Sequence, residues 1–154
     1  MIERGHIMEE FDFSFVKGSD LLKDFSGDID KVIDFYKQGE YNEMIFNARR
    51  VIEGLAAKLV ELNGLQNDRN SGYGLSEKLA ALRSDAKYPA RIMRLFDRLR
   101  TYGTIAVHAT AKIDAWSAQV ALMNFHDLLA YMVSFHEQKR VKYADILLNG
   151  FVRK

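Results

Sequence analysis

Apolar residues recur along this chain at steps of three and four, in separate runs that cover most of its length. The clearest run is Ile45, Ala48, Ile52, Leu55, Leu59 and Leu62. That spacing lines one face of a helix. Asn63-Gly64 follows as a stop, because both residues tolerate the left-handed backbone. An earlier helix is expected to start at Asp20 or Ser26, to carry Phe25, Ile29, Val32, Ile33 and Tyr36, and to end at Gly39. A short third helix carries Leu75, Leu79 and Leu82. Pro89 suits the opening of a fourth, which points Ile92, Leu95, Phe96, Leu99, Tyr102 and Ala106 inwards. A fifth is expected from about Asp114 to Glu137, with Ala118, Leu122, Phe125, Leu129 and Met132 on its core face. Asp114 suits the N-cap, where a carboxylate accepts a free backbone N–H.

The remaining segments carry other patterns. Phe11, Phe13 and Phe15 alternate with Asp12 and Ser14, a strand period too short to build a sheet. Residues 1–18 therefore read as an extended arm packed on the helices. Residues 63–74 are polar and glycine-rich, but they lack the lysine and hydroxyl of a phosphate-cradling loop. They read as a connector. Residues 139–154 start basic and turn apolar at Ile146, Leu147, Leu148 and Phe151. They read either as a docking tail or as the start of a longer polypeptide. The sum is an all-α antiparallel bundle of about five helices over residues 19–138, flanked by an arm and a tail.

Composition narrows the function classes. The chain of 154 residues is one ordinary domain in length, and 48% of it is apolar, enough for a real core. It has no cysteine, which excludes disulfides, thiolate zinc sites and cysteine nucleophiles, and suits a reducing cytoplasm. Met1-Ile-Glu-Arg-Gly-His6 has no apolar signal core, and no run of about 18 apolar residues is present, so no membrane association is expected. The net charge of +1 hides an asymmetry. Residues 1–45 hold eleven acids and five bases, whereas residues 46–154 hold ten acids and seventeen bases. The later part is the better match for an anionic partner, although the two parts also attract each other within one fold.

Candidate chemistry concentrates in the fourth helix. Arg91, Arg94 and Arg98 share one face, suited to phosphates or to an acidic partner; the plainer reading is a solvated face with Asp97 nearby. Arg49 and Glu53 are neighbours on the second helix. They read as a surface ion pair, or as a pair that orients a residue of another helix. Arg100, Thr104 and His108 recur at four-residue steps and drift by about 40° each step, so they roughly share a face. Gly103 among them lets another element approach closely. A histidine as general acid or base and an arginine facing the phosphate are the groups RNA cleavage needs. Yet Arg100 and His108 stand about 12 Å apart along a straight helix. Convergence needs a kink at Gly103 or a second chain. The plainer reading pairs Arg100 with an acid such as Glu53 and leaves His108 as a C-terminal cap. His6, His126 and His136 offer no metal-ligand spacing with a third partner, so neither metal nor cofactor is expected. Trp116 and the tyrosines fall at core or rim spacings and read as packing.

Several of these pieces also carry a family resemblance. They are Phe11-Asp-Phe13, Asn47-Ala-Arg-Arg-Val-Ile-Glu53 with Leu59, Leu75 to Leu82, and Leu95-Phe-Asp-Arg-Leu-Arg-Thr-Tyr-Gly-Thr-Ile-Ala-Val-His108. In this order, over residues 11–137, the chain resembles a helical domain found at the N-terminus of type I restriction enzyme motor subunits and as standalone bacterial proteins. Arg49, Glu53, Arg100, Gly103 and His108 match its signature positions. That family is similar to the broader HEPN group, many of whose members serve defence against phage and some of which are metal-independent dimeric RNases. The resemblance implies an interaction module of a restriction or defence system. Its partner would be a restriction subunit or helicase, a second copy, or RNA or DNA. The alternative it implies is an RNase acting as a homodimer through Arg100 and His108. The chain departs from the nuclease pattern in two places. Seven residues separate Arg100 from His108, a longer spacing than in the RNases, and Thr104 stands where the restriction-associated family usually has asparagine.

Overall fold

The structure, a computed structural model, describes residues 11–67, 70, 74–107 and 112–143. Among these it contains five α-helices and no strand: α1 (Ser26–Gln38), α2 (Tyr41–Leu62), α3 (Leu75–Asp85), α4 (Ala90–Val107) and α5 (Ala115–Glu137). The expected all-α bundle is what forms. Its boundaries follow local chemistry. Gly39 closes α1 at φ 77°, and Gly64 follows α2 at φ 67°. Asn63 keeps a negative φ and acts through its side chain instead, donating to the Leu59 carbonyl. The carbonyl of Pro89 accepts from Ile92 and Met93, the first bonds of α4. The Asp114 carboxylate caps α5 by accepting the Ser117 N–H at 2.7 Å, and this bond lowers its pKa.

Helix α2 is the hub and packs against each of the other four. Its stripe of Ile45, Ala48, Ile52, Leu55 and Leu59 is buried throughout. Leu62, the last member of the expected stripe, is 55% exposed, because the helix ends there with little packed over it. Helix α5 is buried almost all round, including Asn124 and His126. A helix enclosed on nearly every side loses the sharp polar face of a surface helix.

The described part of the arm, from Phe11 onward, turns rather than running extended throughout. The Asp12 carboxylate accepts the Ser14 N–H at 2.9 Å, and the chain turns into a 3-10 turn at Ser14–Val16. This local bond competes with extension. Phe11, Phe13 and Phe15 still converge on one target, the buried ring of His126, at centroid distances of 6.1, 5.0 and 5.6 Å. Acceptors face both nitrogens of that ring, the Asp12 carbonyl at 3.0 Å and the Asp127 carboxylate at 3.1 Å. Farther on, Glu137 at the end of α5 holds the segment before α1. Its carboxylate accepts from Ser19 Oγ at 2.6 Å and from the Leu21 N–H at 3.0 Å. Burial pushes the Glu137 pKa up, but these bonds and Lys139 outweigh it, and the pKa falls below the ordinary value. The apolar positions of the tail, Ile146 to Phe151, lie outside the described residues.

Candidate functional site

Two arginine-bearing regions meet on α4. The first is its seam with α2. Arg49 lays its stem across Gly103: a Cβ there would lie 2.5 Å from Arg49 Cδ and 3.0 Å from Arg49 Cβ. Only glycine leaves that space. From this position Arg49 Nη1 donates to Thr104 Oγ1 at 3.3 Å, while its Nε lies 3.9 Å from Glu53. Thr104 passes its own proton back to the Arg100 carbonyl at 3.2 Å. Arg49 and Glu53 are thus more than a pair on one helix, since Arg49 also reaches across to α4. Glu53 does not pair with Arg100 as expected. Arg49, on the same helix one turn away, already occupies it, and among the described residues no ion pair joins Glu53 to Arg100. Arg100 is half-buried, and its Nε is buried without a hydrogen-bond partner. The structure therefore brings Arg49, Glu53, Gly103 and Thr104 together, with Arg100 one turn away. His108 lies outside the described residues.

The second region is the opposite face of α4. Arg91, Arg94 and Arg98 are all exposed. Asp97, their expected neutralising neighbour, is engaged elsewhere, in an ion pair with Arg83 of α3. No ion pair involves any of the three arginines among the described residues. The Arg91 guanidinium lies 5.7 Å from the centre of the Tyr131 ring on α5. Burial raises the Tyr131 pKa, Tyr143 adds to the rise, and Arg91 opposes it. The three arginines line a cleft of about 250 Å³ that opens between α4 and α5.

Asn124 and Asn42 had no role in the sequence pattern, and Tyr88 was read there only as packing. Asn124, 3% exposed on α5, lines this cleft, and its Nδ2 has no hydrogen-bond partner among the described residues. The available signal was a lone amide amid the apolar positions of α5. Asn42 ties the end of α4 to the segment before α5, donating to the Ala106 carbonyl at 3.4 Å and accepting the Ile113 N–H at 2.9 Å. Tyr88, just before α4, is buried and accepts from Asn63 Nδ2 at 2.9 Å, and its hydroxyl shares a hydrogen bond with His136 Nε2 at 2.6 Å. Burial lowers the His136 pKa, with the charge of Lys87 lowering it further against an opposing pull from Glu137. Trp116, expected to pack, is 55% exposed at the start of α5.

Among the described residues no group of three or more His, Cys, Asp or Glu side chains is placed to hold a metal ion, and no helix is long and apolar enough to cross a membrane. No protein-family model, no curated protein and no solved structure significantly matches the chain.

Proposed function

We propose that this protein is a non-catalytic helical interaction module of a bacterial or phage restriction or defence system, binding an anionic partner through the arginine face of α4. One observation carries the reading. Asp97 pairs with Arg83, so Arg91, Arg94 and Arg98 stand exposed on one face, and among the described residues none of them forms an ion pair, although Asp127 shares the cleft they line. A run of guanidiniums is suited to phosphates or carboxylates, which accept two parallel bonds from each. In this reading the seam of Arg49, Gly103 and Thr104 sets how closely α2 and α4 pack, and so holds the arginine face in place. The resemblance to the restriction-associated domain supplies the setting.

Titration of the chain with polyanions tests it. A nucleic acid and polyglutamate are each followed over a salt series. Binding should weaken as salt rises, with a slope that falls by about 1 for each phosphate contact removed. The triple variant Arg91→Glu, Arg94→Glu, Arg98→Glu should lose binding while keeping its helical content. Unchanged binding in that variant would sink the reading.

A second reading, a metal-independent RNase acting as a dimer, draws on Arg100, whose guanidinium has no carboxylate partner among the described residues. A phosphate would satisfy it. This reading requires RNA cleavage in EDTA that disappears in His108→Ala; equal cleavage in the two samples removes it.

A further inference from the structure

Asn124 is hard to account for as a packing residue. It stands on an enclosed apolar helix and is 3% exposed, and its amide nitrogen has no hydrogen-bond partner among the described residues. A buried donor without an acceptor is a net destabilisation that leucine would avoid. Its position suggests what the amide is for. It lines the cleft between α4 and α5 together with Arg91, Arg94 and Arg98. Ile92, Leu95 and Met123 make the walls apolar, and Tyr143 stands at the rim. Asp127, whose carboxylate also holds His126, shares the cleft.

We propose that this cleft takes one base of a single-stranded nucleic acid, with Asn124 and Asp127 meeting the base edge and the three arginines holding the neighbouring phosphates. The inference rests on the anionic-partner reading above and goes further by naming the partner. Three features select a base over a bare anion. First, the cleft is smaller than the roughly 300–1,000 Å³ typical of pockets for drug-sized ligands, and suits a single flat ring. Second, apolar walls with an aromatic rim accept the face of any base, as in other single-strand binders. Third, an amide donor beside a carboxylate acceptor complements an edge that carries both acceptors and donors. A phosphate carries acceptors alone and would be repelled by Asp127. The arginines complete the match. They span about 10 Å along the helix, on the rim where the backbone of a strand would run. Arg91 is steadied there by the Tyr131 ring. Because Asn124 Nδ2 lies below the surface, the base enters as the exposed arginine side chains of the cleft move aside. A duplex, with its base edges already paired, is not accepted.

Fluorescence anisotropy on the whole chain tests this with five probes: short single strands of RNA and of DNA, an abasic strand of equal length, a duplex and polyglutamate. Strands with bases should bind tighter than the abasic strand by about tenfold or more, the scale of one stacked base. The RNA and DNA arms show which sugar is preferred. Asn124→Leu should abolish the preference for bases and keep the residual, salt-sensitive binding, with a melting temperature no lower than that of the unchanged protein. Asn124→Ala carries the same readout if the leucine variant does not fold. Equal affinity for strands with and without bases overturns the inference, as does an undiminished preference in Asn124→Leu. Binding of polyglutamate but of no nucleic acid overturns it too and leaves the anionic-partner reading intact. Binding of no polyanion at all removes both.

Discussion

Helix α4 meets arginines on two faces, Arg49 of α2 on one and its own Arg91, Arg94 and Arg98 on the other, and the two faces treat them differently. Towards α2, Arg49 is pressed along Gly103 and its guanidinium is shared between Thr104 and Glu53. Towards α5 and solvent, Arg91, Arg94 and Arg98 have no carboxylate partner among the described residues, and the acid beside them serves Arg83. The seam is close-packed and its Arg49 is partnered, so changes there should register as stability. The arginine face is exposed and unbalanced, so changes there should register as binding. The same residue type serves both roles, and only its packing tells them apart.

The largest expected effect falls on both regions together. Phe96 on α4 is fully buried. Phe96→Ala should cost about 3–5 kcal/mol in chemical denaturation. A loss under about 1 kcal/mol would mean that α4 is not held as described. Next comes Gly103→Ala. The added methyl meets Arg49 at its Cβ as well as at its flexible end. Overpacking of about 1–3 kcal/mol should outweigh the helix propensity of about 1 kcal/mol that alanine returns. In an Arg49→Ala background, where Cγ and Cδ are gone, the penalty should shrink to less than half. Additivity in that double-mutant cycle would dissolve the seam as a unit.

The start of α4 should separate from its end by pH. The His136 pKa is lowered in the fold, mainly by burial, so the unfolded chain takes up a proton before the folded one does. Stability is then complete above the unfolded value of about 6.5 and falls as the pH drops through the lower folded value. Protonated His136 also cannot accept the Tyr88 hydroxyl proton. Amide exchange in the first turns of α4 should therefore speed up on acidification more than exchange around Gly103. His136→Gln should flatten the dependence, and an unchanged profile would refute the assignment. The smallest effect is expected from neutralising the arginine face. Arg91→Ala, Arg94→Ala and Arg98→Ala should each shift stability by about 0.5 kcal/mol or less, since exposed positions away from packed features tolerate change. A larger loss at any of the three would make that arginine structural.

Much of the fold was legible in the pattern of residues, because period and capping are local. The stripe from Ile45 to Leu59, the inward Leu75, Leu79 and Leu82, and the Asp114 cap all stand where spacing places them. The approach of Arg49 to Gly103 was half legible: the glycine announced that something comes close, but not that an arginine stem does. The arm shows the limit of pattern. The alternation of Phe11, Phe13 and Phe15 is a strand signal, but the Asp12 carboxylate turns the chain, and a buried histidine over a hundred residues away gathers the rings.

The sequence by itself determined the helices, their ends and the faces they bury, because these depend on residues within a turn or two of each other. Tertiary packing decided which acid serves which arginine. Asp97 lies beside the stripe in sequence and bonds to α3 in space, and Glu53 goes to Arg49 rather than Arg100. It also decided that Asn124 is enclosed without a partner at the wall of a cleft. Pairing and burial depend on how whole helices are set against one another, and the period of a single helix carries no record of that.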